Sequence, residues 1–127
     1  MKLVDEGENR LCKCIVEYDD LEVGLFMNTS EPTESAVLAD IIEPAGNGYA
    51  KKTLSKLLWS VPNDLASYAK QTFTATGNWG NIYGYFICGY KNDATKKLMF
   101  VELFDDGPYN IAIAGQYVEV TPLLRVA

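Results

Sequence analysis

Residues 82–104, IYGYFICGYKNDATKKLMFVELF, carry the strongest β-strand signal in the chain. Aromatic and β-branched residues dominate two stretches, 82–90 and 98–104, and the polar turn 91–97 separates them. Apolar side chains fall on both faces of the second stretch, with Leu98, Phe100 and Phe104 on one face and Met99, Val101 and Leu103 on the other. A strand with two apolar faces is expected to be covered on both. The segment therefore predicts a β-hairpin at the centre of a sheet.

Shorter strands are expected on both sides of this hairpin, because apolar alternation recurs between turn residues. In chain order they cover residues 22–28, 49–54, 56–61, 71–76, 109–114 and 117–126. Many short strands joined by short turns are typical of a mainly β, antiparallel sandwich or jelly roll.

A short N-terminal helix is expected at residues 5–15. Asp5 and Glu8 have the spacing of a capping pair. The apolar face of this helix is predicted to consist of Leu11, Cys12 and Ile15. A second helical turn is expected after Ser35, because serine is a favoured N-cap residue.

Length and charge bound the possible functions. The 127 residues, 48% of them hydrophobic, predict a single domain over 1–127. A net charge of −6 disfavours nucleic acid as a partner, and the apolar runs are too short to cross a membrane. The charge is uneven: residues 1–48 hold eleven acids and three bases, residues 49–104 three acids and seven bases, and residues 105–127 three acids and one base. Acidic and basic regions on different faces would let neighbouring copies attract one another.

The cysteines predict neither a disulfide framework nor a metal site. Cys12, Cys14 and Cys88 are an odd number, which indicates a reducing compartment, and the first residues predict no export signal. Structural zinc takes four ligands, and three thiolates in a chain without histidine do not supply them.

Catalytic and cofactor-binding patterns are also missing from the sequence. The chain contains no histidine, which is the usual partner of a catalytic serine or cysteine. We therefore expect that this protein is not an enzyme. Two adjacent carboxylate pairs, Asp19-Asp20 and Asp105-Asp106, lie at predicted turns, and a small carboxylate enzyme stays open as an alternative. The glycines of GNWGNIYG at 77–84 match neither a dinucleotide fingerprint nor a Walker loop, so no cofactor is expected. These glycines are predicted to lie beneath aromatic neighbours.

The aromatic residues are the candidate interaction residues. Large amphipathic rings can stack on sugars, can anchor a protein interface, or can belong to the core. The interface candidates are Trp59, Trp79, Tyr83, Tyr49 and Tyr109. The two tryptophans come first, because both lie beside turn residues. A glycan-binding module and a protein-binding module both remain open on these residues.

Several segments resemble small structural proteins of tailed bacteriophages. They are GLF at 24–26, GYA at 48–50, YGYF at 83–86 and VEVTP at 118–122, together with Asn28, Pro32 and Gly115. The resemblance extends over residues 21–124 and contains no catalytic motif. It implies a virion component assembled in the host cytoplasm, either a capsid decoration (cement) protein or a tail or tail-fibre-adaptor part. The implied partners are the major capsid protein or other virion proteins.

In the cement role a homo-oligomer is expected. A trimer is favoured, because closed threefold symmetry matches local threefold positions on a shell.

Overall fold

The chain is mainly β with one N-terminal α-helix. The computed structural model describes residues 1–62, 65–90 and 95–125. Within them the helix is α1 (Asp5–Glu17), and a single 3₁₀ turn covers Leu38–Asp40. The strands are β1 (Leu21–Phe26), β2 (Lys52–Leu54), β3 (Leu65–Ser67), β4 (Gln71–Thr74), β5 (Gly80–Ile82), β6 (Gly84–Tyr90), β7 (Lys96–Leu103), β8 (Tyr109–Ile111), β9 (Tyr117–Val120) and β10 (Leu123–Arg125).

All the strand pairs in the described part of the chain are antiparallel. The largest sheet has the order β2-β1-β6-β7, and three two-stranded sheets pair β3 with β10, β4 with β9 and β5 with β8. Strand β6 lies inside the four-stranded sheet, and its first six residues are buried. Strand β7 is at the edge, and its side chains are exposed or half-buried. The prediction that the whole hairpin is central is therefore wrong for β7, because its apolar residues are only partly covered.

The four-stranded sheet separates two apolar clusters. Val23, Leu25 and Ile87 from the central strands belong to the larger cluster. That cluster also contains Phe73 and Val118 from the β4–β9 pair, so the small sheets pack over this face. The smaller cluster on the other face consists of Phe26, Phe86 and Cys88, with Leu38, Ile41, Tyr83, Leu98 and Val101 packed against it. Both faces of the central strands are buried because each has its own cover.

A β-bulge changes which residues of β7 share a face. Cys88 pairs with Leu98 while Ile87 pairs with Phe100, so Met99 is the extra residue. Leu98 consequently joins Val101 in the smaller cluster, and Phe100 joins Phe104 against the larger one. Strict alternation predicted Leu98 and Phe100 on the same face, which is wrong, because one inserted residue reverses the parity of the strand.

The N-terminal helix is present but is capped and oriented differently from the prediction. Its N-cap residue is Val4, and no side chain of residues 1–62, 65–90 or 95–125 caps it, because Asp5 is already inside the helix. Cys12 and Val16 are buried, whereas Leu11 is 45% exposed. The predicted apolar face is therefore displaced around the helix.

The other predicted elements are mostly shorter than expected. Ser35 caps no helix, because the 3₁₀ turn begins after Val37, whose N–H donates to the Asp40 carboxylate at 2.9 Å. Residues 56–61 form no strand and contribute one isolated bridge, between Ser60 and Ser67. The predicted strand 117–126 divides into β9 and β10, since Thr121 and Pro122 lie outside the ladders, and its residue 126 lies outside the described residues. Within the predicted turn 91–97, residues 91–94 lie outside the described residues.

Candidate docking surface

The outer edge of β7 is a candidate docking surface. In the sheet order, β7 pairs with β6 on one side and with no described strand on the other. An edge strand presents backbone N–H and C=O groups that can pair with an extended segment of another chain. The bulge at Met99 interrupts this edge, which is a common protection against uncontrolled edge-to-edge pairing.

A groove of about 640 Å³ lies along this edge, between β7 and the segment 31–36. We call it the β7 groove, and its lining residues are Glu31, Pro32, Thr33, Glu34, Ala36, Leu98, Met99, Phe100 and Val101. The strand wall is apolar, and Met99 is 38% exposed there. The opposite wall carries Glu31 and Glu34, both exposed, and residues 28–40 contain three acids and no base. The groove thus combines an apolar wall with an acidic one.

Asn28 holds the segment that forms the acidic wall. Its side-chain amide donates to the carbonyl of Asp40 at 2.8 Å and accepts from the N–H of Ile42 at 2.8 Å. The N–H of Met27 also donates to the Ile42 carbonyl, at 2.6 Å. Leu38 packs beneath, against the smaller cluster. The loop is therefore fixed at its base, while its tip forms the groove.

Lys96 and Glu22 fix the start of β7 to the centre of the sheet. The Lys96 Nζ atom is 2.5 Å from Glu22 Oε1, and the ammonium also lies 5.6 Å from the centre of the Tyr90 ring. The hydrogen bond that Lys96 donates to Glu22 raises the pKa of Lys96. Because β6 lies between β1 and β7, the pair reaches across one strand and ties the edge strand to the interior of the sheet.

The thiol of Cys88 lies next to this ion pair but is protonated. Its Sγ atom is 3.9 Å from Glu22 Oε1, and the residue is buried. Burial, with the Glu22 charge, raises the pKa of Cys88 to about 11. The thiolate is the reactive form of cysteine, so Cys88 is a core residue at neutral pH.

Burial places the two predicted tryptophans in the core rather than on the surface. Trp59 is 9% exposed and Trp79 is 5% exposed, and both belong to the larger cluster. The Trp79 indole N–H donates to the carbonyl of Asn47 at 3.0 Å. We therefore reassign both rings from interface anchors to core residues, which was the alternative interpretation of the sequence.

The three predicted tyrosines are half-buried and do not form one surface with each other. Tyr49 packs edge-on against Trp79 at 5.8 Å, and Tyr109 lies 4.9 Å from Phe104. Tyr83 packs on the opposite face of the sheet, against the smaller cluster. The structure brings Tyr49 and Trp79 together and leaves the others apart.

The two adjacent carboxylate pairs bind neighbouring groups separately. Asp20 accepts from the N–H of Lys56 at 2.9 Å, and Asp19 accepts from the N–H of Tyr90 at 3.2 Å. The Tyr109 hydroxyl donates to Asp106, a contact that raises the pKa of Tyr109. These partners are those of turn residues, as the sequence predicted.

Sequence reasoning missed the β7 groove. Its strand wall depends on the bulge at Met99, which no local pattern revealed. Its acidic wall could have been found from the sequence, because the segment from Asn28 to Asp40 contains three acidic residues and no basic one.

The described residues contain no group of three or more His, Cys, Asp or Glu side chains arranged to hold a metal ion. In the same part of the chain, no helix has the length and the apolar composition that crossing a membrane requires. Neither the protein-family models, nor the curated protein sequences, nor the solved structures that were compared with the chain contain a match.

Proposed function

We propose that this protein is a non-enzymatic structural component of a bacteriophage virion, and specifically a capsid decoration protein that docks through the β7 groove. The observation that carries the docking proposal is the unpaired edge of β7, among the described strands, beside an apolar and acidic groove. The resemblance of segments 24–26, 48–50, 83–86 and 118–122 to phage structural proteins supports the virion assignment. In this proposal the small sheets form the second layer of a distorted sandwich.

The groove selects the chemistry of its occupant. An extended segment can pair its backbone with β7 and place alternate side chains against Met99 and the other apolar lining residues. Glu31 and Glu34 on the opposite wall favour lysine or arginine on the occupant. We propose an extended, basic and apolar arm of the major capsid protein as the occupant.

Repetition allows each contact to be modest. A decoration protein meets its shell at many equivalent positions, so weak contacts act together. A trimer would present three β7 grooves around a local threefold axis of the shell. The copy number in the particle then distinguishes a head protein from a tail protein.

Quantitative mass spectrometry of purified particles of the encoding phage tests the virion assignment. Hundreds of copies per particle are expected for a head decoration protein, whereas about six to a few dozen would assign the chain to the tail. Absence from mature particles would overturn the proposal. Particles without the protein should also open at a lower temperature than complete ones.

A substitution in the groove tests the docking surface separately. Met99→Glu adds a charge to the apolar wall of an already acidic groove, and we expect binding to depleted particles to weaken at least about tenfold. Leu57→Glu is the matched control, because Leu57 is 83% exposed and lies outside the groove. Equal binding of both variants and the unmodified protein in a co-sedimentation assay would show that docking occurs elsewhere.

A further inference from the structure

Helix α1 carries an apolar stripe on its exposed side. Val4, Leu11 and Tyr18 are spaced seven residues apart, and they are 59%, 45% and 66% exposed. Gly7 and Cys14 lie between them at the spacing that completes an a/d heptad pattern. Tyr18 continues the helical backbone as the C-cap residue, with φ −73° and ψ −50°. The stripe therefore runs the whole length of the helix.

A different face of the helix contacts the rest of the chain. Cys12 and Val16 are fully buried, and the side-chain amide of Asn9 donates to the carbonyl of Val61 at 3.1 Å. If Val4, Leu11 and Tyr18 are the a positions of the heptads, Asn9 and Val16 are f positions and Cys12 is a b position. The residues that contact the rest of the chain are therefore not those of the exposed stripe. The exposed a/d residues are additional to the core and are not explained by it.

A shallow groove of about 300 Å³ accompanies the stripe near its C-terminal end. Its lining residues are Arg10, Lys13, Cys14, Glu17 and Tyr18. Cys14 is the smallest of these lining residues and is exposed. A small residue among larger neighbours leaves the kind of hole that a partner's side chain fills when helices pack knobs into holes.

We propose that α1 pairs in antiparallel orientation with α1 of a second copy of this chain. In the proposed register, Leu11 packs against Cys14 of the second copy, and Tyr18 packs against Gly7 of the second copy and the Leu3 side chain that lies beside that glycine. The twofold axis repeats each contact, so the seam consists of four layers. Aliphatic and aromatic side chains thus meet the two smallest residues of the stripe.

Charge complementarity selects this orientation and register. Arg10 and Glu17 both occupy g positions, and in the proposed register each Arg10 faces Glu17 of the other copy. A shift by one heptad in one direction would place Arg10 against Arg10 and Glu8 against Glu8, and a shift in the other direction would place Glu17 against Glu17. A parallel pair would align the acidic first turns, which contain Asp5, Glu6 and Glu8.

The contact is small, so we expect a weak dimer. A seam of four layers buries less surface than the roughly 800 Å² per partner of a standard stable interface. Association between micromolar and millimolar protein concentrations is expected. The inference does not rest on the proposed virion function, and a twofold contact through α1 leaves β7 available to other partners.

Reciprocal charge reversal tests both the partner and the register. Arg10→Glu and Glu17→Arg should each weaken self-association about tenfold, because each replaces two attractive contacts by two repulsive ones. The double variant Arg10→Glu/Glu17→Arg should restore it, since the reversed charges again face each other. Sedimentation equilibrium over a concentration series measures the association constants, and circular dichroism verifies that α1 remains folded.

Lys97→Glu is the matched control, because it makes the same charge change as Arg10→Glu. Lys97 lies on β7, outside the proposed contact, so this variant should leave self-association unaltered. Leu11→Glu should abolish self-association at any register. A chain that stays monomeric up to millimolar concentration, or a double variant no better than either single one, would overturn the proposal.

Discussion

Gly24 on β1 and Phe86 on β6 face each other directly across the sheet, and the Phe86 ring lies over the glycine. A Cβ atom at position 24 would be 2.6 Å from the ring and 2.7 Å from the Tyr49 hydroxyl. The neighbouring pair repeats the arrangement in reverse, with Phe26 opposite Gly84 and its ring 2.4 Å from where a Cβ would lie. Each phenylalanine ring fills the space that a side chain on the opposite residue would occupy. This part of the smaller cluster therefore depends on two glycines.

Substitution of Gly84 by alanine should destabilise the protein. The new methyl group would be 2.2 Å from the Glu102 carbonyl oxygen, which is backbone and cannot move aside cheaply. Overpacking of this kind costs about 1–3 kcal/mol of unfolding free energy. Urea unfolding measures the loss, at protein concentrations low enough to keep the chain monomeric.

Gly7→Ala is the control for that substitution. Gly7 lies within helix α1, and the new methyl group would meet only the flexible end of the Leu3 side chain. We expect unchanged or slightly higher stability, by up to about 1 kcal/mol, because alanine favours helix. Equal losses from Gly84→Ala and Gly7→Ala would contradict the packing argument.

Tyr49→Phe should be costly although it removes a single oxygen atom. Strand β2 begins at Lys52, opposite Val23, and does not extend to the position opposite Leu25, so it supplies no partner for the N–H of Leu25. The Tyr49 hydroxyl accepts that N–H at 3.0 Å and donates to Glu43 at 2.6 Å. The variant leaves a buried donor unsatisfied, which costs about 1–3 kcal/mol. Tyr117→Phe, at an exposed ring, should cost almost nothing in the same unfolding assay.

The two tryptophans should differ when each is replaced by phenylalanine. The Trp79 indole N–H donates to Asn47, whereas that of Trp59 has no acceptor among the described residues. Both substitutions remove a similar volume, but only Trp79→Phe also removes a hydrogen bond. Trp79→Phe should therefore lower the unfolding free energy by about 1 kcal/mol more than Trp59→Phe does. Trp79→Ala should cost about 3–5 kcal/mol, as expected for a core ring. A fully stable Trp79→Ala monomer would restore the interface interpretation.

Stability should fall at high pH because three groups, one half-buried and two buried, resist ionisation in the folded chain. Burial, assisted by hydrogen bonds to Glu43 and Glu102, raises the pKa of Tyr49 and Tyr85 above the ordinary 10.0, and burial raises that of Cys88 from 9.0 to about 11. The unfolded chain loses these protons first, so the unfolding free energy decreases between about pH 9 and 11 for Cys88 and above about pH 10 for the tyrosines. The slope is about 1.4 kcal/mol per pH unit for each group.

Urea unfolding at about pH 8, 10 and 11 measures this decrease. Tyr85→Phe removes one titrating group, so its stability should fall less steeply above about pH 10. An identical pH dependence for Tyr85→Phe and the unmodified protein would show that Tyr85 ionises equally easily in both states.

Local patterns in the sequence were sufficient for the strand class, for β6 and for the existence of α1. The aromatic run at 82–90 predicts a buried strand from its own residues, and β6 occupies most of it. The same reasoning did not find β3 or β5, which are three residues each and gain their stability from partners far along the chain. A short strand has too few residues to show a periodicity.

Apolar alternation and charge runs determined that this chain is mainly β, begins with a helix and has an acidic N-terminal part. Tertiary structure alone decided that β7 is an edge strand, that Met99 reverses its parity, and that Trp79 is covered. A hydrophobic side chain favours burial wherever it lies in the sequence. Which segment covers that side chain depends on contacts between residues that are distant in the chain.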